Sequence, residues 1–310
     1  MGMTRQEKLA LGAAALGNGI FGFSFMFSRI ALGIAQPFVM LMYRFGMTFV
    51  ILLGIAAWAS RRTVQTREDG AIDWLRFDLR GRKLLPLIGL GIVQPVGYFL
   101  CESYGISMTN ATFSGVVIAL VPIAGMVSGA MTLGEIPRVK QIAYSLLSIA
   151  GVVVMTMQQS AEGQILPLGV VLLVGAVITG AAFNTISRKV SGEYSVLERT
   201  VVMMGVAAVT FTVLAVWQTG GDAAQLLAPM QSGAFLTSMI YLSLCSSIVA
   251  FSALNLANNY LPVARTTAFA NLTTVISLFA GVIFLGEPFG VVSLVASVMI
   301  LAGIWGVQRS

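Results

Sequence analysis

Residues 113–155, FSGVVIALVPIAGMVSGAMTLGEIPRVKQIAYSLLSIAGVVVM, decide the fold because the chain contains a second, related version of them at residues 265–307. In this alignment residue 133 falls on residue 285, an offset of 152, and the tripeptide Leu133-Gly134-Glu135 falls on Leu285-Gly286-Glu287. Each tripeptide ends a long apolar run and is followed by another. A chain that repeats itself at about half its length consists of two copies of one unit.

The composition places most of the chain in lipid. Apolar residues make up 57% of it and charged residues 10%, whereas a soluble domain has about 25% charged residues. The two cysteines lie inside apolar runs, so a disulfide framework is not expected. The chain has no histidine, which removes the commonest metal ligand and acid–base group. We therefore expect no metal site, no cofactor and no catalytic residue.

The spacing of the charged residues predicts the membrane spans. A spanning helix needs about 20 mostly apolar residues, and charges at the bilayer centre are costly. The gaps between charges predict an all-α membrane protein with ten transmembrane helices, at about 9–30, 38–58, 84–105, 110–132, 141–158, 165–186, 199–217, 234–256, 264–285 and 290–307. Only a short turn separates the third and fourth helices, so counts of nine and eleven stay open.

The lysines and arginines predict the orientation. All of the 18 except Arg29 and Arg44 fall in segments that share one side of the membrane with the N-terminus. Because cytoplasmic segments are enriched in Lys and Arg, both termini should be cytoplasmic. The net charge of +6 thus mainly reflects the orientation of the chain in the membrane, and we expect no nucleic-acid partner. The basic loop from Ala59 to Lys83 predicts an interfacial segment held by anionic lipid headgroups.

The duplication and the helix count together predict an inverted architecture. The copies span residues 1–161 and 162–310, with five helices each, and an odd number reverses the second copy in the membrane. Glu135 and Glu287 should then lie at opposite surfaces, each capping a neighbouring helix N-terminus. Inverted repeats let transporters alternate between inward-open and outward-open states around a central site.

With these features the chain resembles the drug/metabolite transporter superfamily, EamA type. The resemblance rests on both Leu-Gly-Glu helix ends and on the sequences Gly22-Phe23-Ser24-Phe25, Tyr43-Arg44 and Ser103-Tyr104-Gly105-Ile106, together with Pro122. Among the members, the chain looks most like the bacterial aromatic amino-acid exporters. The resemblance implies a central cavity between helices 1–4 and 6–9. Helices 5 and 10 would brace it from outside, packing through small residues either within one chain or in a weak homodimer.

Arg44 is the most informative single residue. It lies about 10 Å into helix 2, and an intramembrane arginine faces protein or a water-filled cavity. It either forms an ion pair with Glu102, near the outer end of helix 3, or meets a substrate carboxylate. Arg29 is a further candidate for this outer gate, and Ser28-Arg29 recurs as Ser187-Arg188 in helix 6.

Uncharged polar residues near the middle of the spans complete the candidate cavity. Polar side chains in hydrocarbon need partners, so each either joins two helices or contacts a ligand. As a set they would suit the ammonium and carboxylate groups of an amino acid, while one of the four alternating phenylalanines of helix 1, Phe25, would line an apolar pocket. The remaining candidates are Asn18, Gln94, Tyr98, Asn184, Ser246 and Asn271.

These features favour an exporter of amino acids, aromatic or large and apolar, in the bacterial inner membrane. No span carries an Asp or Glu near its midplane, so we expect facilitated diffusion rather than a proton relay. Proton-coupled efflux of drugs or metabolites is the alternative. An intramembrane enzyme would need a nucleophile with a base, and a receptor would not account for inversion.

Overall fold

The computed structural model describes residues 4–61, 74–108, 117–157, 166–285 and 290–310, and these residues form helices and turns without a β-strand. The helices are α1 (Arg5–Leu32), α2 (Pro37–Ala59), α3 (Leu85–Gly91, Ile92–Gly97 and Tyr98–Ser107), α4 (Val121–Leu133), α5 (Val139–Met157), α6 (Pro167–Lys189), α7 (Val196–Thr219), α8 (Gly233–Ile240, Tyr241–Ala250 and Phe251–Tyr260), α9 (Val263–Ala268 and Ala270–Leu285) and α10 (Val291–Arg309). A short helix, Ala223–Leu227, lies between α7 and α8.

The helices are those of a multi-pass membrane protein. Seven of them within the described ranges are long and apolar enough to cross a bilayer, namely α1, α2, α3, α6, α7, α8 and α10. α4 and the Val139–Val154 part of α5 are apolar but shorter, and α9 is interrupted at Phe269. The all-helical membrane fold is therefore confirmed. The count of ten spans and the cytoplasmic termini stay predictions.

Helices α3 and α8 share an irregularity at equivalent positions. The irregular segments are Ile92–Gly97 in α3 and Tyr241–Ala250 in α8, and the offset of 152 places the first inside the second. In α3 the helix is kinked at Gln94, whose backbone angles are extended (φ −150°, ψ 127°). In α8 the segment consists of wide π-helical turns, which often occur at functional sites. The two repeats thus share an irregular backbone at this position although their side chains differ.

Helices α5 and α10 pack against each other through glycines. A Cβ at Gly303 would lie 2.6 Å from both Ser148 Cβ and the Tyr144 backbone oxygen, and one at Gly151 would lie 2.8 Å from the Ala296 oxygen. Only glycine permits this approach. The predicted close packing is confirmed within one chain, and the homodimer stays a prediction.

One end of the bundle, which we call the basic end, is where α4, α6, α8 and α10 end and α5, α7 and α9 begin. Residues 74–84 form a strap that is attached there to the start of α7. The carboxylate of Glu198, fully buried, accepts a 2.9 Å bond from the Asp78 backbone N–H and lies 3.5 Å from Arg76 and 3.7 Å from Arg82. A buried acid of the protein itself therefore holds these arginines, and the predicted contact of the loop with anionic headgroups stays a prediction. The first half, residues 62–73, lies outside the described part.

Candidate functional site

Arg44 is buried between α2 and α8, with 2% of its surface exposed. Its Nε donates to Ser247 Oγ at 3.0 Å, and its Nη2 donates to Ser246 Oγ at 2.7 Å. Its guanidinium carbon lies 4.9 Å from the centre of the Phe99 ring on α3. The described partners of this charge are thus neutral hydroxyls and an aromatic face, which neutralise it less than a carboxylate would.

Arg44 and Glu102 are not joined directly. The Glu102 carboxylate is buried and accepts a 2.9 Å hydrogen bond from the Tyr98 hydroxyl, one turn earlier on α3. It attracts the Arg44 guanidinium only at longer range; no ion pair within 4.0 Å joins these two described residues. The predicted ion pair is therefore absent in this conformation, because each group has a nearer hydroxyl partner.

Two buried amide oxygens on α3 and α8 are without a hydrogen-bond partner in the described part of the chain. They are Gln94 Oε1 and Asn258 Oδ1. The Asn258 amide donates to Asn184 Oδ1 at 3.2 Å, and the Asn184 amide donates to the Gly180 backbone oxygen at 3.0 Å. The Tyr98 ring lies beside Gly180, so Tyr98 and Asn184 line the same contact between α3 and α6. Unpaired acceptors of this kind suit an N–H donor such as an ammonium group.

Asn18 and Asn271 lie in helix–helix contacts. Thr273 donates to the Asn18 backbone oxygen at 3.1 Å and so joins α9 to α1, and the Asn271 amide donates to Ser148 Oγ at 3.0 Å and so joins α9 to α5. The geometry gives both asparagines a structural partner rather than bringing them to Arg44. The side chains of Phe25 and Arg29 lie outside the described part, as does Glu287.

The Leu-Gly-Glu end of α4 ties three helices together at the basic end. Gly134 ends the helix in the left-handed conformation (φ 68°), which glycine adopts without strain. The chain then turns Glu135 so that its Oε2 accepts a 2.7 Å bond from the Val263 N–H at the start of α9, while its Oε1 pairs with Arg188 at the end of α6. The carboxylate does reach a helix N-terminus as expected, but that of α9 rather than of the next helix. We call Glu135, Arg188 and the Val263 N–H the basic-end latch.

A second buried arginine was missed from the sequence, where it was counted only among the basic residues that indicate the cytoplasmic side. Arg199 is 0% exposed and donates to the Ser187 hydroxyl at 2.7 Å, to the Asn255 backbone oxygen at 3.0 Å and to the Asn259 side chain. It joins α7 to α6 and α8. An arginine in the first turn of a helix fits either a solvated or a buried position, so its sequence context alone did not distinguish them.

The described residues contain no group of three His, Cys, Asp or Glu side chains of the kind that holds a metal. The polar side chains instead sit between spanning helices, buried or near a gate, which is typical of a protein that moves a solute.

Comparison with known proteins places the chain in a family of transporters. The model of the EamA-like transporter family matches residues 8–157 and again residues 167–309. The chain therefore belongs to the EamA-like transporter family and is a multi-pass membrane transporter. The two matches reflect the family's two-repeat organisation.

Three similar proteins add to this assignment. The chain is 26% identical over 304 residues to the uncharacterized transporter YcxC of Bacillus subtilis, covering 97% of this chain and 93% of that one. It is 26% identical over 226 residues to a probable terminal-alkyne amino-acid exporter of Streptantibioticus cattleyicolor, covering 73% of each. A crystal structure with 16% identity superposes with a TM-score of 0.76 over 99% of each chain, which supports the fold alone.

Proposed function

We propose that this transporter exports amino acids with aromatic or large apolar side chains across the bacterial inner membrane. The observation that carries the proposal is Arg44, a buried guanidinium within a span whose described hydrogen-bond partners are the neutral hydroxyls of Ser246 and Ser247. Glu102 attracts Arg44 only at longer range, so a substrate carboxylate would supply a negative partner in direct contact, and charge-assisted bonds of this kind are strong in a low-dielectric site. The similarity to a probable amino-acid exporter favours the same substrate class.

Helix α3, which packs against Arg44 through Phe99, supplies further groups that an amino acid needs. The Gln94 Oε1 on this helix is a buried acceptor without a described partner and suits the ammonium group, whereas Asn258 lies farther along α8, beside Arg188 at the basic end. Phe99 and Tyr98 offer aromatic surface on the same helix; the ring of Phe99 also packs 5.6 Å from that of Phe45. Aromatic side chains of a substrate would stack there.

Transport proceeds by alternating access between two inverted five-helix repeats, residues 1–161 and 162–310, with both termini in the cytoplasm. Support comes from the irregular helical segments that α3 and α8 have at equivalent positions. The basic-end latch closes the cytoplasmic side, since Glu135 holds α4, α6 and α9 together. The latch is formed in the conformation described, and opening the cytoplasmic side would require it to break.

Export is facilitated diffusion down the substrate gradient and uses no cofactor. The working unit is a monomer or a weak homodimer that forms through α5 and α10. Proton-coupled efflux is the second candidate, and one observation favours it. Glu102 is a buried carboxylate that is close enough to Arg44 to attract it. Protonation of Glu102 would release that attraction, and the pH-gradient experiment below distinguishes the two mechanisms.

The direct test is flux through the purified protein in liposomes. Vesicles that contain the protein are loaded with radiolabelled amino acids and compared with equally loaded vesicles without protein. The protein should speed the release of phenylalanine, tryptophan, tyrosine and leucine, and should leave the release of aspartate and lysine at the control rate. Absence of flux for every amino acid in the panel would reject the proposal.

A further inference from the structure

A basic cleft lies between the start of α5 and the end of α10, outside the site described above. It has a volume of about 540 Å³, and its lining includes Arg138, Lys140 and Arg309 together with the rings of Tyr144 and Trp305. No acidic side chain is among the residues that line it, but the main-chain oxygen of Ser310 lines it too and accepts a bond from Arg138. Lys140 and Arg309 therefore contribute most of the positive potential that attracts an anion.

The cleft lies at the depth of the lipid headgroups. Both helices belong to the membrane-embedded bundle, and the cleft is at the ends that face water. Trp305 is 56% exposed, and the Arg309 guanidinium carbon lies 4.5 Å from the centre of its ring. Exposed tryptophans of spanning helices concentrate at the membrane interface, and the arginine beside it is placed to meet a headgroup phosphate.

An apolar strip leads from the cleft toward the bilayer centre. Leu301 and Val298, which are one and two turns before Trp305 on the same side of α10, are 46% and 58% exposed. A soluble anion would gain nothing from this strip, whereas the acyl chain of a lipid would lie along it.

Arg138 is also held in place at the cleft. Arg138 donates from Nη1 to the backbone oxygen of Ser310, which fixes the side chain across the gap between α5 and α10. A guanidinium has five N–H donors, so this bond leaves others for a phosphodiester.

We propose that the cleft binds an anionic phospholipid, with its phosphodiester between Arg138, Lys140 and Arg309 and one acyl chain against the α10 strip. The lipid would connect α5 to α10, the corresponding helices of the two repeats. The proposal does not depend on the substrate of the transporter.

The test is lipid retention by the full-length protein. The protein is purified in mild detergent, and native mass spectrometry measures the binding of phosphatidylglycerol and phosphatidylethanolamine. We compare the triple variant Arg138→Gln, Lys140→Gln, Arg309→Gln with a matched control, Lys8→Gln, Arg61→Gln, Lys189→Gln, which removes three exposed cations that do not line the cleft. The cleft variant should bind phosphatidylglycerol about tenfold more weakly, since each cation near the headgroups contributes to anionic lipid binding, and the control should bind as the unmodified protein does.

A second variant separates a lipid from a free anion. Val298→Gln with Leu301→Gln keeps all three cations but makes the strip polar, and it should also lose phosphatidylglycerol. Equal loss in the cleft variant and its control would overturn the proposal, because binding would then reflect general charge. Two further results would also overturn the proposal. One is that inorganic phosphate stabilises the protein as much as phosphatidylglycerol does, and the other is that the strip variant binds phosphatidylglycerol as strongly as the unmodified protein.

Discussion

The hydroxyl of Ser148 donates a 3.4 Å hydrogen bond to the backbone oxygen of Ile300, a residue 152 positions further along the chain. That separation equals the offset between the two Leu-Gly-Glu tripeptides, so each residue contacts its own repeat equivalent. Such a contact marks a two-fold axis between the copies. On either side of it, Gly151 meets Ala296 and Gly303 meets Tyr144, so α5 and α10 run antiparallel. This is the arrangement that inverted repeats require.

Gly303→Ala should destabilise the protein by about 1–3 kcal/mol, because the added methyl group would overlap Ser148 and the Tyr144 backbone. Thermal unfolding in detergent measures the effect. Gly54→Ala is the matched control: its Cβ would meet open space, and the substitution should be neutral or slightly stabilising in a helix. Equal unfolding temperatures for the two variants would contradict close packing at Gly303.

Arg44→Gln should reduce the flux of phenylalanine at least about tenfold, since the charge-assisted bond to the carboxylate is lost. The flux of phenethylamine, which has no carboxylate, should change much less. Arg44→Lys should recover only part of the rate, because an ammonium lacks the planar fork of donors. Arg61→Gln, an exposed position, serves as the control. If both substrates lost flux equally in Arg44→Gln, the arginine would have a structural role instead.

Replacing both Ser246 and Ser247 by alanine should raise KM for phenylalanine several-fold while leaving the protein folded. The hydroxyls orient the guanidinium, and each such bond contributes about 1 kcal/mol. Ser243→Ala is the comparison, because the Ser243 hydroxyl contacts the backbone oxygen of Arg44 rather than its guanidinium. A KM for Ser243→Ala that matched the double variant would show that the effect comes from the helix contact.

Glu135→Gln should loosen the basic end. With the pairing to Arg188 weakened, the Val263 amide at the start of α9 should exchange its hydrogen faster, by about tenfold for a loss of about 1.4 kcal/mol. Hydrogen-exchange mass spectrometry of peptides covering 261–268 measures it. Glu193→Gln, an exposed carboxylate in the α6–α7 turn, should leave exchange unchanged. Unaltered exchange in Glu135→Gln would rule out the latch.

The initial flux should not depend on an imposed pH gradient. Facilitated diffusion needs no proton, and the one carboxylate near Arg44 is Glu102 in the described part of the spans. Flux is measured with the vesicle interior one pH unit above and below the exterior. A dependence on the gradient that disappears in Glu102→Gln would establish proton coupling instead.

The all-helical membrane fold, and the burial of Arg44 within a span, were predictable from residue type and spacing. Charge-free runs mark spanning helices because lipid excludes charge, and a single intramembrane arginine, Arg44, stood out for the same reason. The Leu-Gly-Glu repeat predicted the duplication, and Gly134 ends its helix in the conformation that glycine favours.

The partners of these residues were decided by tertiary structure. Sequence spacing suggested Glu102 for Arg44, but helix packing brought Ser246 and Ser247 to it from more than 200 positions away. Likewise, Glu135 caps α9 across 128 residues rather than the next helix, and Arg199 is buried rather than solvated. The physical reason is that a charge within lipid requires a polar partner. The residue type shows that a partner is required, but the helices that pack beside the charge decide which residue that partner is.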